Sequence, residues 1–171
     1  LESATEAINQ ELNHFLSGQP GEFVPYVHGG LELPGQTPDS MKDPDSWTAA
    51  FVWRDGMAQE DVMSEHPTLC SLMESIPLTE VGGFSPSVLF SRLRPGARID
   101  PHTGLLNCRL ICHLPLVVPS GCGLRVGEER REVARGRVWA FDDGSVGASW
   151  TSSGEGLVPE RGIGYNYYDG T

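Results

Sequence analysis

The sequence predicts a mainly β domain, a sandwich or a jelly roll, with a covering helix in front of it. Short segments rich in β-branched and aromatic residues recur at roughly 8–12 residue intervals, with turn signals between them. The 171 residues include 21 Gly and 13 Pro, a content that favours a turn-rich β architecture over a helical bundle. This length suits one domain with a sizeable core, so we predict a single domain over residues 1–171.

One helix is expected at the N-terminus. Between Glu2 and Leu16, the apolar residues Ile8 and Leu12 fall on one helical face. Ser3 stands where it would cap this helix, and Glu6, three residues on, would complete a capping box. We expect this helix to cover a sheet.

A long loop and a second helix follow. Residues 18–44 are rich in Gly, Pro, Asp and Ser and predict a loop, with a short strand at 23–26. A loop of this length is typical of a lid, and we expect it to close over a pocket. Pro67 suits the first turn of a short second helix, which would run to Ser75 and present Leu69 and Met73 on its apolar face.

The expected strands are 47–54, 84–93, 98–100, 107–118, 123–126, 130–133, 138–141, 148–151 and 163–168. Residues 107–118 contain the apolar run LICHLPLVV, which is typical of a central strand buried on both faces. Pro115 within this run predicts a bulge or an edge section.

The charge excludes two classes of partner. The net charge is −11, and the 12 basic residues include one Lys. Nucleic acids and anionic membranes are therefore not expected, because phosphate binding needs clustered Lys and Arg. No apolar run approaches the ~20 residues that would cross a bilayer. A small molecule is the expected partner.

The four cysteines, Cys70, Cys108, Cys112 and Cys122, do not form a zinc-binding CxxC pair or a disulfide scaffold. We expect free, mostly buried thiols in a reducing compartment. A reducing compartment agrees with a cytoplasmic location, which is the expected one.

A polar cluster lies in the segment from Phe90 to His113, FSRLRPGARIDPHTGLLNCRLICH. On an extended strand, Asn107, Arg109, Ile111 and His113 share one face, since side chains alternate with a period of two. Unpaired polar groups are costly to bury, so a cavity or a bound anion would explain this face, with His102 at the preceding turn. The alternative is structural: Arg109 would pair with a nearby aspartate and His113 would hydrogen-bond in the core.

Asp142 and Asp143 follow the predicted strand VWAF. They are either a turn-forming pair or carboxylates at the mouth of the same site.

The pattern PG…PHTG…NCRL…HL…VP, followed by a hairpin and FDD, resembles the aspartyl/asparaginyl β-hydroxylases. The resemblance extends upstream to Trp47 and Trp53 and to the segment TLCSLMES. It implies a double-stranded β-helix, the jelly roll of cupin-like proteins. It also implies an Fe(II) and 2-oxoglutarate dioxygenase, which would hydroxylate a peptide or a small molecule.

The iron site implied by the resemblance is incomplete in this sequence. The family holds its metal with two histidines, and the first falls on His102. The second falls on Gly147, within FDDGSVGASW, and no histidine follows His113. Of the two family histidines, a metal would therefore have His102 alone, unless Asp142 or Asp143 substituted for the second to give a His/Asp pair.

The implied co-substrate pocket is also changed. Ser91, His113 and Arg161 match positions that hold 2-oxoglutarate in the family, and Arg109 matches a substrate-contacting arginine. A further co-substrate arginine is replaced by Ile111. A hydrocarbon cannot clamp a dicarboxylate as a bidentate guanidinium does.

Three functions follow as alternatives. The preferred one is a repurposed enzyme without cofactor, in which His102, His113, Arg109 and Asp142 perform acid–base chemistry on a small, largely apolar molecule. A cyclisation, isomerisation or elimination, as in natural-product tailoring, needs no metal. The second is the Fe(II)/2-oxoglutarate dioxygenase. The third is a non-catalytic binding module.

Overall fold

The computed structural model describes residues 1–18, 23–26, 45–94, 97–102, 108–119, 121–142, 148–151 and 162–167. For 98–102, 148–151 and 162–167 this description covers the backbone and its strand pairing. The predicted lid, residues 18–44, falls almost wholly outside these ranges.

The N-terminal helix is present and covers a sheet. A 3-10 turn, Glu2–Ala4, leads into α1, Thr5–Gly18. Ser3 lies inside that turn, and Leu1 stands at its N-cap without a side-chain cap. The predicted capping box is therefore wrong. Instead, the Thr5 hydroxyl donates to the Glu2 carbonyl at 2.6 Å.

The first turns of the chain contact residues 135–138, which lead into the strand Trp139–Phe141. A Glu2 carboxylate oxygen accepts the backbone N–H of Val138 at 2.8 Å, and Glu6 accepts from Arg135 at 2.7 Å. An added Cβ at Gly136 would lie 3.3 Å from the Thr5 hydroxyl, so this connection packs closely on the helix.

Two further helices follow the first strands. The predicted second helix is present as α3, Pro67–Ser75, with Leu69 and Met73 buried. An additional short helix, α2, Glu60–Ser64, precedes it. Glu11 of α1 accepts the backbone N–H groups of Thr68 and Leu69 at 2.6 and 3.2 Å. A carboxylate from one helix thus satisfies the orphan donors at the start of another.

A buried imidazole lies within this helical layer. His66 is fully buried, and its ring lies 5.1 Å from that of Phe15 and 4.7 Å from that of Phe90. Neither ring nitrogen has a hydrogen-bond partner among the described residues. Burial lowers the pKa of His66 most, while Glu11 and Glu65 oppose the shift. The neutral imidazole therefore packs as an aromatic ring.

Most of the described strands form one antiparallel sheet, in the order β1-β2-β4-β11-β6-β9, with β3 beside β2. Its strands are β1 Val24–Pro25, β2 Trp47–Arg54, β3 Met57–Ala58, β4 Val88–Leu93, β6 Leu110–His113, β9 Trp139–Phe141 and β11 Gly162–Tyr167.

The remaining described strands form a smaller sheet, in the order β5-β10-β7-β8. They are β5 Arg98–His102, β7 Gly123–Val126, β8 Glu129–Glu132 and β10 Ala148–Thr151. All their pairings are antiparallel.

The predicted long strand at 107–118 is much shorter in the structure. Only Leu110–His113 pairs as β6. Leu114 and Leu116 are fully buried beyond its end. Pro115 between them has no N–H to donate, and its carbonyl accepts from the backbone of Gly136 at 2.8 Å. The apolar run therefore marks a buried segment that leaves the sheet.

The two faces of the larger sheet have different neighbours. One face packs on α1 and α3 and forms the main core, which contains Ile8, Leu12, Phe15, Leu69, Ala50, Val52, Val88, Phe90 and Cys112. On the other face, Trp139 and Phe141 pack against Leu124 and Val133, next to the smaller sheet.

The mainly β class with a covering helix is confirmed, and the jelly-roll connectivity stays a prediction. All four cysteines lie in the described part of the chain and are thiols. Among the described helices, none is long and apolar enough to cross a membrane.

Candidate functional site

Ser91 lies on the face of the larger sheet that is directed away from the helices. It pairs with Ala49 of β2. The Trp47 indole N–H, from the same face of β2, donates to the Ser91 hydroxyl oxygen at 2.9 Å. A hydroxyl is one donor and two acceptors, so the Ser91 hydrogen can still be donated. Ser91 is half-buried, and the indole N–H fixes the position of its hydroxyl oxygen.

His113 lies on the same face, at the end of β6. Its ring packs edge-to-face on Phe141 of β9, with 5.1 Å between the ring centroids. The side chain is half-buried as a whole, and its Nδ1 atom is buried. Burial lowers the pKa of His113 to about 4. Its imidazole is therefore neutral at pH 7 and able to accept a proton.

Ile111 shares this face with His113, as the sequence predicts. It pairs with Phe141 and is 7% exposed. Arg109 lies just before β6 and is half-buried. Asn107, the fourth predicted member of the face, lies outside the described residues. Of the four predicted side chains, Ile111 and His113 thus lie on this face of β6, and the placement of Asn107 and Arg109 on it stays a prediction.

β11 lies between Ser91 and His113. Its Gly162 pairs with Ser91, and its Gly164 pairs both with Leu89 of β4 and with His113 of β6. Two strand spacings, roughly 10 Å, therefore separate Ser91 from His113 across the sheet, and the offset of two residues between Gly162 and Gly164 adds about 7 Å along the strands.

The other predicted site residues lie in three places. His102 ends β5 in the smaller sheet, where it pairs with Ala148 of β10. Asp142 directly follows β9 and is half-buried. Gly147 and Arg161 lie outside the described residues, each next to the start of a described strand.

The iron site implied by the resemblance does not fit the donor set of this chain. Opposite His102, β10 consists of Ala148, Ser149, Trp150 and Thr151, which include no imidazole and no carboxylate. The sequence contains no later histidine. A single imidazole cannot form the chelate that two histidines provide.

An aromatic row beside Ser91 was not predicted as part of the site. Trp47 and Phe51 lie on the same face of β2, and Tyr26 stacks on Trp47 with 4.0 Å between the ring centroids. Arg54 lies over the Phe51 ring at 4.7 Å. The period-two alternation in WTAAFVWR places Trp47 with Phe51, and this signal could have found the row.

Comparison with known proteins places this site in a family context. The family model described as aspartyl/asparaginyl beta-hydroxylase matches residues 2–155. This match includes the region from Ser91 to Gly147 and ends before Arg161.

Individual relatives agree with that match. The chain is 34% identical over 122 residues to the aspartyl/asparaginyl beta-hydroxylase of Homo sapiens, covering 71% of this chain and 16% of that protein. For the Mus musculus protein of that name the identity is 34% over 141 residues, covering 82% and 19%. The human aspartate beta-hydroxylase domain-containing protein 2 is 45% identical over 104 residues, covering 61% and 28%. The chain thus spans less than a fifth of the first two relatives.

Proposed function

Because the chain belongs to the aspartyl/asparaginyl β-hydroxylase family, we propose that it uses the family's site for redox-neutral acid–base chemistry on a small, largely apolar molecule. The observation that carries the proposal is the pair Ile111 and His113, a buried hydrocarbon beside a neutral imidazole on one strand face. The donor set supports it as well, since the sequence has no histidine after His113 and the described strand β10 opposite His102 offers neither an imidazole nor a carboxylate.

Ile111 bears on the class of ligand. Its side chain is 7% exposed and pairs across the sheet with Phe141. A dicarboxylate such as 2-oxoglutarate needs a cation at each end, and burying an uncompensated carboxylate against hydrocarbon is expensive. A largely apolar molecule with one oxygen function suits this wall better.

His113 would act as a base. A neutral imidazole whose pKa lies near 4 accepts a proton only when a ligand stabilises the resulting cation. A bound carboxylate or a developing enolate would raise this pKa and make the transfer favourable. The Ser91 hydroxyl or the Arg109 guanidinium would hold the oxygen that gains charge.

His102, protonated at the outset, would donate a proton to another atom of the substrate, and Asp142 would orient an imidazole. His113 would then release its proton to solvent and His102 would take one up, which restores both groups. In an isomerisation or a cyclisation, the net reaction moves one proton within the substrate. In an elimination, the substrate loses a proton and a leaving group. None of these reactions needs an oxidant.

A second candidate function is Fe(II)/2-oxoglutarate-dependent hydroxylation. Identities of 34–45% to relatives named as hydroxylases or hydroxylase-domain proteins favour it. Ser91, His102 and His113 also match the positions that the resemblance assigns to this chemistry.

Metal binding and succinate formation discriminate between the two. We expect the purified protein to bind Mn(II), used as a probe for Fe(II), no better than its His102→Ala variant, and to form no succinate from 2-oxoglutarate and O₂. The double variant Gly147→His/Ile111→Arg is the positive control, because it restores the second imidazole and the guanidinium. Stoichiometric metal and succinate formation by the unaltered chain would refute the proposal.

Proton transfer can be tested without knowing the substrate. Cyclic ketones and aryl alkyl ketones, which carry hydrogens on the carbon next to the carbonyl, are incubated with the protein in D₂O, and deuterium uptake at that carbon is followed by NMR. We expect uptake that both His113→Gln and His102→Ala abolish. Binding without uptake would favour the binding module.

A further inference from the structure

We propose that the outer face of the smaller sheet, which is directed away from the larger sheet, binds a phosphorylated serine or threonine of a partner protein. The side chains that would hold the phosphate are Arg125 of β7 and Arg130 of β8, the arginine pair. This face is separate from the face of the larger sheet that carries Ser91 and His113. The binding therefore goes beyond the proposed chemistry and does not depend on it.

The strand register places the arginine pair on one exposed face. Leu124 and Val126 of β7 belong to the cluster that includes Phe141 of the larger sheet, so they occupy the inner face. Since side chains alternate along a strand, Arg125 lies on the outer face. It pairs directly with Arg130, and directly paired residues share a face. Both arginines are exposed to solvent.

The arginine pair sets two like charges opposite each other. The Cβ atoms of directly opposed residues lie about 4.5–5.5 Å apart, and like charges at this distance are destabilising. On the inner face of β8, by contrast, Arg131 forms an ion pair with Glu129. Within the described part of the chain, Arg130 forms no ion pair or side-chain hydrogen bond, and Arg125 donates only to the Gly127 carbonyl, at 3.2 Å. The pair is therefore suited to an anion supplied by a ligand.

The residues around the arginine pair suit a phosphate group. An added Cβ at Gly123 would lie 3.9 Å from the Nε atom of Arg130, so the guanidinium lies close over this glycine. On the adjacent strand β10, Ser149 pairs with Arg125, and Thr151 pairs with Gly123. Both of these residue types carry a hydroxyl. Two planar guanidinium forks match the oxygens of a phosphate, whose charge of about −2 balances that of the pair.

The shape of this face and the charge of the chain indicate the kind of partner. Small ligands bind in concave sites that cover most of their surface, whereas a strand face with exposed side chains is flat. A protein segment can lie along such a face and contact more of it. The net charge of −11 opposes polyanions such as nucleic acids and anionic membranes. A single phosphate on a protein meets mainly the local charges, because salt screens the field beyond about 8 Å.

Two exposed glutamates predict what surrounds the phosphate in the partner. Glu132 lies on the outer face, where it pairs with Gly123, and Glu128 lies in the turn between β7 and β8. In the described ranges neither carboxylate forms an ion pair. They would repel acidic residues next to the phosphate and attract basic ones. The segment that fits this face therefore carries Lys or Arg beside its phosphorylated residue.

The test is the fluorescence anisotropy of a labelled phosphoserine peptide, with a lysine on each side of the phosphoserine, titrated with the full chain. The comparison peptides carry serine or glutamate in place of the phosphoserine. We expect the phosphopeptide to bind at least about tenfold more tightly than either of them. Arg130→Gln should weaken its binding by about tenfold, because hydrogen bonds to a charged group are lost.

A matched variant separates the site from the charge of the chain. Arg94→Gln removes the same charge from another exposed position, where Arg94 pairs with Asp45, and it should leave binding unchanged. Thermal unfolding of each variant shows whether its fold is kept. Arg125→Gln changes the same pair from the neighbouring strand and decides the matter if Arg130→Gln does not fold.

Several outcomes would overturn the site. One is the absence of phosphopeptide binding at millimolar concentration, and another is equal binding by the wild type, Arg125→Gln and Arg130→Gln. Equal binding of the glutamate peptide would assign the face to acidic segments instead. Inorganic phosphate that binds as tightly as the phosphopeptide would mean that the ligand is a small anion and not a protein.

Discussion

Lowering the pH from 7 to 5 should remove about 2 kcal/mol of folding free energy through His113 alone. Its folded-state pKa is about 4, against 6.5 for the unperturbed group. The unfolded chain therefore takes up the proton first. The stabilising contribution is fully present above the unfolded pKa and is lost progressively as the pH falls from 6.5 towards 4. One pKa unit corresponds to about 1.4 kcal/mol, which gives about 2 kcal/mol at pH 5 and a limit of about 3 kcal/mol.

The assay is urea denaturation of the wild type and of His113→Gln at pH 7 and pH 5. Glutamine stays neutral at both values, so the variant lacks this proton linkage whatever its stability at pH 7. The carboxylates and His66 titrate in both proteins and cancel in the difference. The wild type should lose about 2 kcal/mol more than the variant between the two pH values.

Equal losses in the two proteins would refute the reasoning. They would mean that the imidazole is solvated in the folded state, and the case for His113 as a neutral base would fall with it. A larger loss in the variant would contradict the sign of the pKa shift.

Three further changes probe the frame around the site, each by urea denaturation. The His66→Leu variant should lose less unfolding free energy than the wild type between pH 6.5 and 5, because burial lowers the pKa of this imidazole and leucine does not titrate. An equal loss in both proteins would contradict this prediction. Glu11→Ala should lower the free energy of unfolding by about 1–2 kcal/mol, since it removes the acceptor of two backbone N–H groups. The exposed control Glu74→Ala should change the free energy of unfolding by no more than about 0.5 kcal/mol. Trp47→Phe keeps an aromatic ring but removes the hydrogen bond to Ser91, which should lower the free energy of unfolding by about 1 kcal/mol. An unchanged free energy of unfolding would mean that water replaces the indole N–H.

The elements with strong periodicity could be predicted from the sequence. The alternation in 47–54 and the apolar face of 67–75 predict β2 and α3 at their observed bounds. The short helix Glu60–Ser64 was missed, because five residues are too few to show a helical period. Residues 107–118 were misread because continuous apolarity reports burial, and Leu114 and Leu116 are buried without strand pairing.

The candidate site, too, could be predicted only in part from the sequence. Period two places Ile111 and His113 on one face of a strand, and the structure agrees. The Trp47–Ser91 hydrogen bond joins residues 44 positions apart. It depends on how β2 pairs with β4, which no local pattern specifies. The depression of the His113 pKa likewise comes from packing between strands that are distant in the sequence.

The place of β11 in the larger sheet has a consequence for how the chain is made. β4 and β6 are close in sequence, yet they are not neighbours in the sheet, because the last described strand lies between them. During synthesis, both would present unpaired edges until residues 162–167 leave the ribosome. At about 5–20 residues per second, the roughly 50 residues after β6 take several seconds to make. Over that interval the nascent chain exposes strand edges that can pair with other chains, and its yield in cells should depend on chaperones that cover them.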